Sequence, residues 1–491
     1  DIINTGDGTN TVIAGNGALD IVTDGGGTDN TNIVVGDNGT LTYNTSGLLT
    51  HLATTDSDAT TGGIDTITLG GGSNIVTGGI GSDTITTEIG TDIILGDNGT
   101  VAYDASGANL AQIQSTEIAV GDADTITTAD GAKTILGGQG GDSITAGDGI
   151  HVVVGDSGTL SYDTDGSIKV LDTTDTDGSL TGGSDSIQLG DGDSHVLGGM
   201  GSDTITTGIG TDIILGDNGT VTYAGAPGSL ELASIVSSDL DQGGDDTINI
   251  SDGDATVIGG YGSDAIAGSA AGTAGAVGSD GDHVVVGDNG SLTYDSDGVL
   301  INLTTADSDA TTGGSDSLIL DNGVPGDLNS NIVAGGMGSD TIDVGDGTNV
   351  ILGDNGSLLY SGGTGSYLQQ AVSTNLDQGD SDVITAGDGN NVVIGGQNDA
   401  ADSTPETIDV GDGTNVILGD NGQIDYSAAG ALANVNSLLV GGGSDIINTG
   451  DGTNTVIAGN GALDIVTDGG GTDNTNIVVG DNGTLTYNTS G

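Results

Sequence analysis

The chain has 491 residues, among them 98 Gly and 10 Tyr but no Phe, Trp or Cys. The missing large aromatics leave little to fill a wide globular core, and the missing cysteines exclude disulfide staples and thiolate metal sites. Against 71 acidic residues stand only Lys133 and Lys169, a formal net charge of -69, which excludes a nucleic-acid partner and docking on an anionic bilayer. No uninterrupted apolar run approaches the roughly 20 residues that span a membrane, so membrane insertion is not expected. The acids are Asp apart from Glu88, Glu117, Glu231 and Glu406. Such a bias asks for a short carboxylate held close to the backbone.

Residues Asp1 to Gly47 recur unchanged as Asp445 to Gly491, an offset of 444 residues. One long period plus an overlap predicts a single continuous array over 1–491, cut from a polypeptide that continues in both directions. Within the period, G-D-N-G stands at Gly36, Gly96, Gly216, Gly287, Gly353, Gly419 and Gly480, with G-D-S-G at Gly155. These anchors define seven tandem units of about 60–70 residues, with junctions near 64, 123, 184, 245, 315, 381 and 444. Periodic sequences of this kind build stacks rather than globes. The irregular spacings place insertions at Ala267 to Gly281 and Asp321 to Ser330, expected to be surface loops.

A finer rhythm of 18 residues separates Asp65 from Asp83, Asp124 from Asp142, Asp185 from Asp203 and Asp246 from Asp264. Between them lie short T-I-T and I-I-L patterns whose alternation fits strands, punctuated by Gly that tolerates turn conformations. Helices are disfavoured by the recurrent Gly and the Thr, Ile and Val content. After each G-D-N-G comes a second pattern such as Thr220 to Tyr223 (T-V-T-Y), and eight of the ten tyrosines, Tyr43, Tyr103, Tyr162, Tyr223, Tyr294, Tyr360, Tyr426 and Tyr487, occupy its last slot. Asn-Gly ahead of it is a tight-turn signal, so a hairpin or an irregular wider coil is expected. The tyrosines would cap the core or touch a neighbouring chain, and capping is the commoner role for a repeated aromatic.

Five nonapeptides stand in fixed register: Gly78 to Thr86 (G-G-I-G-S-D-T-I-T), Gly137 to Thr145, Gly198 to Thr206, Gly259 to Ala267 and Gly335 to Asp343. They resemble the G-G-x-G-x-D-x-U-x motif of calcium-binding RTX (repeats-in-toxin) proteins. The resemblance is close at these positions and looser over nearly the whole chain. It implies an all-β fold, an elongated parallel β-roll or β-solenoid with interspersed hairpins or irregular coils. It also implies multiple Ca²⁺ ions between turns, held by the motif carboxylates of Asp83, Asp142, Asp203, Asp264 and Asp340 and by glycine carbonyls. Shortened relatives of the motif add Asp65, Asp124, Asp185, Asp246, Asp316, Asp382 and Asp445, and the G-T-D turns add Asp92 and Asp212.

Elementary electrostatics points the same way. Calcium takes six to eight hard oxygen ligands in a flexible shell, and stacked coils would bring equivalent carboxylates to about 4.8 Å. At an effective dielectric near 20, each such pair repels by roughly 3–4 kcal/mol. Asp20, preceded by one extra residue, and Glu406, standing where Asp is expected after an insertion at Asp399 to Pro405, mark turns without a standard site. The G-D-G aspartates Asp148, Asp191, Asp346, Asp388 and Asp412 read equally as ligands or polar turn residues, and those of G-D-N-G as turn formers.

No other chemistry recurs. His51, His151, His195 and His283 form no H-E-x-x-H pattern and read as surface or turn residues, no G-x-S-x-G elbow appears, and no enzyme is expected. The N-G-T and N-G-S triplets fit tight turns better than glycosylation. The expected role is a calcium-stabilised structural segment of an extracellular fibre, matrix or cell-surface adhesin that self-associates into a filament. The alternatives are an ice- or carbohydrate-binding region, the passive RTX portion of a larger secreted enzyme or toxin, or a surface-layer lattice protein.

Overall fold

The computed structural model describes the chain apart from residues 18, 28–29, 58–61, 175–181, 269–280, 308–311, 321–328, 398–403, 439–441, 462, 472–473 and 488–491. The three inserted stretches therefore lie largely outside the described residues. The described part is all-β and contains no helix. It forms two compact units, Asp1–Ala233 with Gln242–Gly244, and Ser234–Asp241 with Asp245–Gly491.

Unit one is a parallel β-solenoid. Its first sheet stacks short strands such as Thr66–Leu69, Thr84–Thr87, Thr125–Thr128, Ser143–Ala146 and Ser186–Leu189 in parallel, residue on residue. Its second sheet does the same with Gly72–Thr77, Gly90–Leu95, Lys133–Leu136, His151–Val154 and Ser194–Leu197. Period-2 alternation decides what each strand buries. In the first sheet Val22, Ile67, Ile85, Ile126, Ile144, Ile187 and Ile205 form one buried column, and Val76, Ile94, Ile135, Val153, Val196 and Ile214 form its counterpart in the second. A core one aliphatic layer deep on each side needs no Phe or Trp.

The pattern after G-D-N-G forms an antiparallel hairpin, resolving the choice left by the sequence. Gly99–Tyr103 pairs with Leu110–Ser115, and Gly158–Tyr162 with Ile168–Thr173. Successive hairpins pair with one another into a third sheet. This layer covers the outer face of the second sheet, where Val152 and Ile213 are buried. The Tyr162 hydroxyl bonds Thr134, and that of Tyr223 bonds His195. Tyr162 and Tyr223 thus clamp the layers of unit one together.

Unit two repeats this plan. Ile248, Ile266, Leu318, Ile342, Ile384, Ile408 and Ile447 form its buried first-sheet column. Hairpins such as Gly356–Tyr360 with Leu368–Ser373 add its third sheet, and the Tyr487 hydroxyl meets Thr455 at 3.1 Å.

Candidate metal centre

Each G-G-x-G-x-D turn carries the chain from a second-sheet strand to the next first-sheet strand. In the turn Gly78 to Asp83, Gly79 and Gly81 adopt φ of 114° and 133°, conformations open to glycine and strained for other residues. Asp83 directly precedes Thr84–Thr87, so the alternation that turns Ile85 inward turns Asp83 inward too. Asp65, Asp83, Asp124, Asp142, Asp185 and Asp203 in unit one are each no more than 3 % exposed, as are Asp246, Asp264, Asp316, Asp340, Asp382 and Asp445 in unit two.

These aspartates form a ladder. The backbone N–H of Asp65 donates to Asp83 Oδ1, Asp83 to Asp124, Asp124 to Asp142, Asp142 to Asp185 and Asp185 to Asp203, each at 2.7 Å. In unit two Asp246 donates to Asp264, Asp264 to Asp316, Asp316 to Asp340 and Asp340 to Asp382 at 2.7–2.8 Å. Asp20 joins the foot of the first ladder through its N–H to Asp65 Oδ1 at 3.0 Å. The extra residue before Asp20 therefore does not displace it.

The other carboxylate oxygen is the chemically open one. Oδ2 of Asp65, Asp83, Asp124, Asp142, Asp185, Asp316, Asp340 and Asp382 is buried and accepts no hydrogen bond. It faces the first glycine of a turn. A Cβ on Gly78 would overlap both Asp83 Oδ2 and the Gly96 carbonyl oxygen, and one on Gly335 both Asp340 Oδ2 and the Gly353 carbonyl oxygen. Glycine is required here so that carboxylate and carbonyl oxygens can share one cradle.

Burial pushes these carboxyls up, against the lowering effect of the ladder bonds. Asp83 and Asp142 rise to about 8, Asp316 to about 7 and Asp65 to about 6. Asp124, Asp185, Asp340 and Asp382 are also raised, by burial first and then by neighbouring carboxylates. A hard divalent cation would relieve both causes, and the donors present, orphaned carboxylate oxygens beside main-chain carbonyls, suit calcium. Among the described residues no three carboxylate or imidazole groups close around one point, so carbonyl oxygens are needed to complete any shell.

No family model, curated protein or solved structure matches this chain. The site is therefore read from its own atoms.

Asp92 and Asp212 are placed elsewhere, at the inward start of second-sheet strands. Asp92 is fully engaged: Oδ1 accepts from Asn74 Nδ2 at 2.8 Å, and Oδ2 from Thr87 Oγ1 at 2.8 Å and Lys133 Nζ at 2.7 Å. Both side chains of the Asp92–Lys133 ion pair are wholly buried. Asp212 Oδ1 accepts the Ser194 N–H at 2.9 Å, and burial lifts its carboxyl to about 6. The G-D-G aspartates form a separate, exposed ladder, with Asp191 N–H on Asp148 at 3.0 Å, and Asp388 on Asp346 and Asp412 on Asp388 at 2.7 Å. The G-D-N-G aspartates pin turns: Asp37 accepts the Ile80 N–H at 2.7 Å and Asp97 the Gln139 N–H at 2.6 Å.

The second-sheet ladder holds what sequence reading missed. In unit two Asn349 Nδ2 donates to Asn391 Oδ1, Asn391 to Asn415, Asn415 to Asn454 and Asn454 to Asn476, at 2.9–3.0 Å. In unit one the same column reads Asn32, Asn74, Asp92, Lys133, His151, Ser194 and Asp212. His151 and His283 are buried members of these columns rather than surface residues. A signal existed in the recurrent Asn ahead of an aliphatic pair, as in Asn74, Asn349 and Asn415.

Proposed function

We propose that this chain is a calcium-stabilised structural segment of an extracellular fibre, matrix or surface adhesin. The observation that carries the reading is the buried carboxylate ladder, in which the second oxygens of Asp65, Asp83, Asp124, Asp142, Asp185, Asp316, Asp340 and Asp382 face glycine cradles without a hydrogen-bond partner. The residues that would hold the ions are Asp65, Asp83, Asp124, Asp142, Asp185 and Asp203 in unit one. In unit two they are Asp246, Asp264, Asp316, Asp340, Asp382 and Asp445, with glycine carbonyls completing each shell. Bound calcium supplies the positive charge that lets ionised carboxylates stay stacked, so metal binding and folding become one event. Millimolar extracellular calcium fills sites too weak for the cytosol, which favours a role outside the cell. A regular repeat with no catalytic constellation among its described residues suits reach and self-association. Circular dichroism at pH 7.5 tests this: the β signal should collapse in EGTA and return with calcium. An unchanged spectrum after chelation would count against the reading.

A second reading rests on a different face of unit one. Outward positions of its first sheet carry Thr66 and Thr68, Thr84 and Thr86, Thr125 and Thr127, Ser143 and Thr145. The intervening hairpins do not disturb their register, so two uncharged hydroxyl columns stand on an otherwise acidic chain. Such a face suits ice or a crystalline carbohydrate, and thermal hysteresis or pull-down on insoluble glycans tests it.

A further inference from the structure

The turn that ends in Glu406 departs from the aspartate pattern and was not expected to hold an ion. The structure puts Glu406 on the ladder nonetheless. It opens the strand Glu406–Val410, in register with Asp445, and is 0 % exposed. Every aspartate rung from Asp264 to Asp382 uses one oxygen to accept a ladder N–H, but both oxygens of Glu406 lack any hydrogen-bond partner. Its extra methylene carries the carboxylate past the ladder bond and into the glycine cradle. A Cβ at Gly395 would overlap Glu406 Oε1 and the Gly419 carbonyl oxygen. One rung away, a Cβ at Gly353 would overlap Asp382 Oδ2 and the Gly395 carbonyl oxygen. Asp382 is likewise 0 % exposed, and its Oδ2 accepts no hydrogen bond.

We propose that Glu406 and Asp382, with the carbonyl oxygens of Gly395 and Gly419, form a buried site for a divalent cation of the calcium class. The site rests on the calcium reading of the array and extends it to a rung where the motif fails. A proton is the competing occupant, but a neutral carboxylic acid carries an O–H that itself needs an acceptor, and no such bond is made. Two carboxylates of adjacent rungs cancel a divalent charge, and the flexible calcium shell accepts carbonyls for the remainder.

Native mass spectrometry of the full chain, stripped with EGTA and titrated with CaCl₂, counts the ions bound. Glu406→Gln should bind one calcium fewer than the parent, and Glu406→Asp should restore or keep the count. Equal counts in the parent and Glu406→Gln would overturn the proposal. A parent that binds no calcium defeats the reading of the whole array and this site with it. If Glu406→Gln does not fold, hydrogen exchange of the parent decides. Amides 406–410 must slow at least tenfold on adding calcium, and unchanged exchange there overturns the site.

Discussion

Two ladders run through unit two, one of aspartates joined by backbone N–H to carboxylate bonds and one of asparagines joined amide to amide. In unit two, asparagines on the second sheet stack from Asn349 to Asn476, each giving one amide hydrogen to the next rung. The second hydrogen of Asn349, Asn391, Asn415 and Asn454 goes to a glycine carbonyl of its own turn at 3.0–3.2 Å. Aspartates on the first sheet stack from Asp246 to Asp382 with equal regularity, yet Asp316, Asp340 and Asp382 each leave a buried oxygen without a hydrogen-bond partner. An amide carries donor and acceptor together, whereas a carboxylate only accepts. Stacking therefore satisfies the amide ladder internally and leaves carboxylate oxygens of the other ladder without a donor.

The largest expected break of this comparison comes from pH in the absence of calcium. A carboxyl raised above its ordinary 3.8 stabilises the fold where it is protonated. That contribution is complete below about pH 4 and is lost as pH climbs through the folded values, about 6 for Asp65, 7 for Asp316 and 8 for Asp83 and Asp142. The calcium-free chain should hold its β signal at pH 4–5 and lose it between pH 6 and 8. With calcium present the loss should vanish. The amide ladder contributes nothing to this titration.

Exchanging the two chemistries should give effects of opposite sign. Asn391→Asp removes the donors to Asn415 and Gly387 and buries an unpaired charge, at a cost of about 3–5 kcal/mol. Its urea midpoint should fall with or without calcium. Asp83→Asn removes a repelling charge, so in EGTA the midpoint should rise, while in calcium the variant forfeits a ligand and gains nothing. A fall for both variants in EGTA would mean that the ladders do not differ electrostatically. The smallest effect lies outside the ladders: Tyr223→Phe loses the hydroxyl bond to His195 and should cost about 1 kcal/mol in thermal denaturation.

Much of this was legible in the residues. Short strands between Gly turns follow from T-I-T and I-I-L alternation, and the 18-residue step between aspartates is the length of one coil. The inward placement of Asp83 and its equivalents follows from the same parity that buries Ile85. The hairpins were only half legible, since a Y-x-x-x-G stretch fits a wider coil equally well until its two strands are seen to pair. Asp92 and Asp212 show where motif reading stopped. Their G-T-D context looks like a ligand turn, but a position nine residues from Asp83 or Asp203 falls on the other sheet, where Lys133 or Ser194 is the neighbour.

Local pattern by itself determined the repeat, the strand periods, the glycine turns and the side of each strand that faces inward, because all of these are set within one coil. Which side chains stack on which was decided by tertiary structure alone. Partners along the aspartate ladder lie 18 to 24 residues apart within a repeat but 41 to 52 apart across a hairpin, as Asp83 and Asp124 or Asp264 and Asp316 do. Only the closed coil brings such residues to hydrogen-bonding distance, and only there does burial raise an ordinary carboxyl above its usual range.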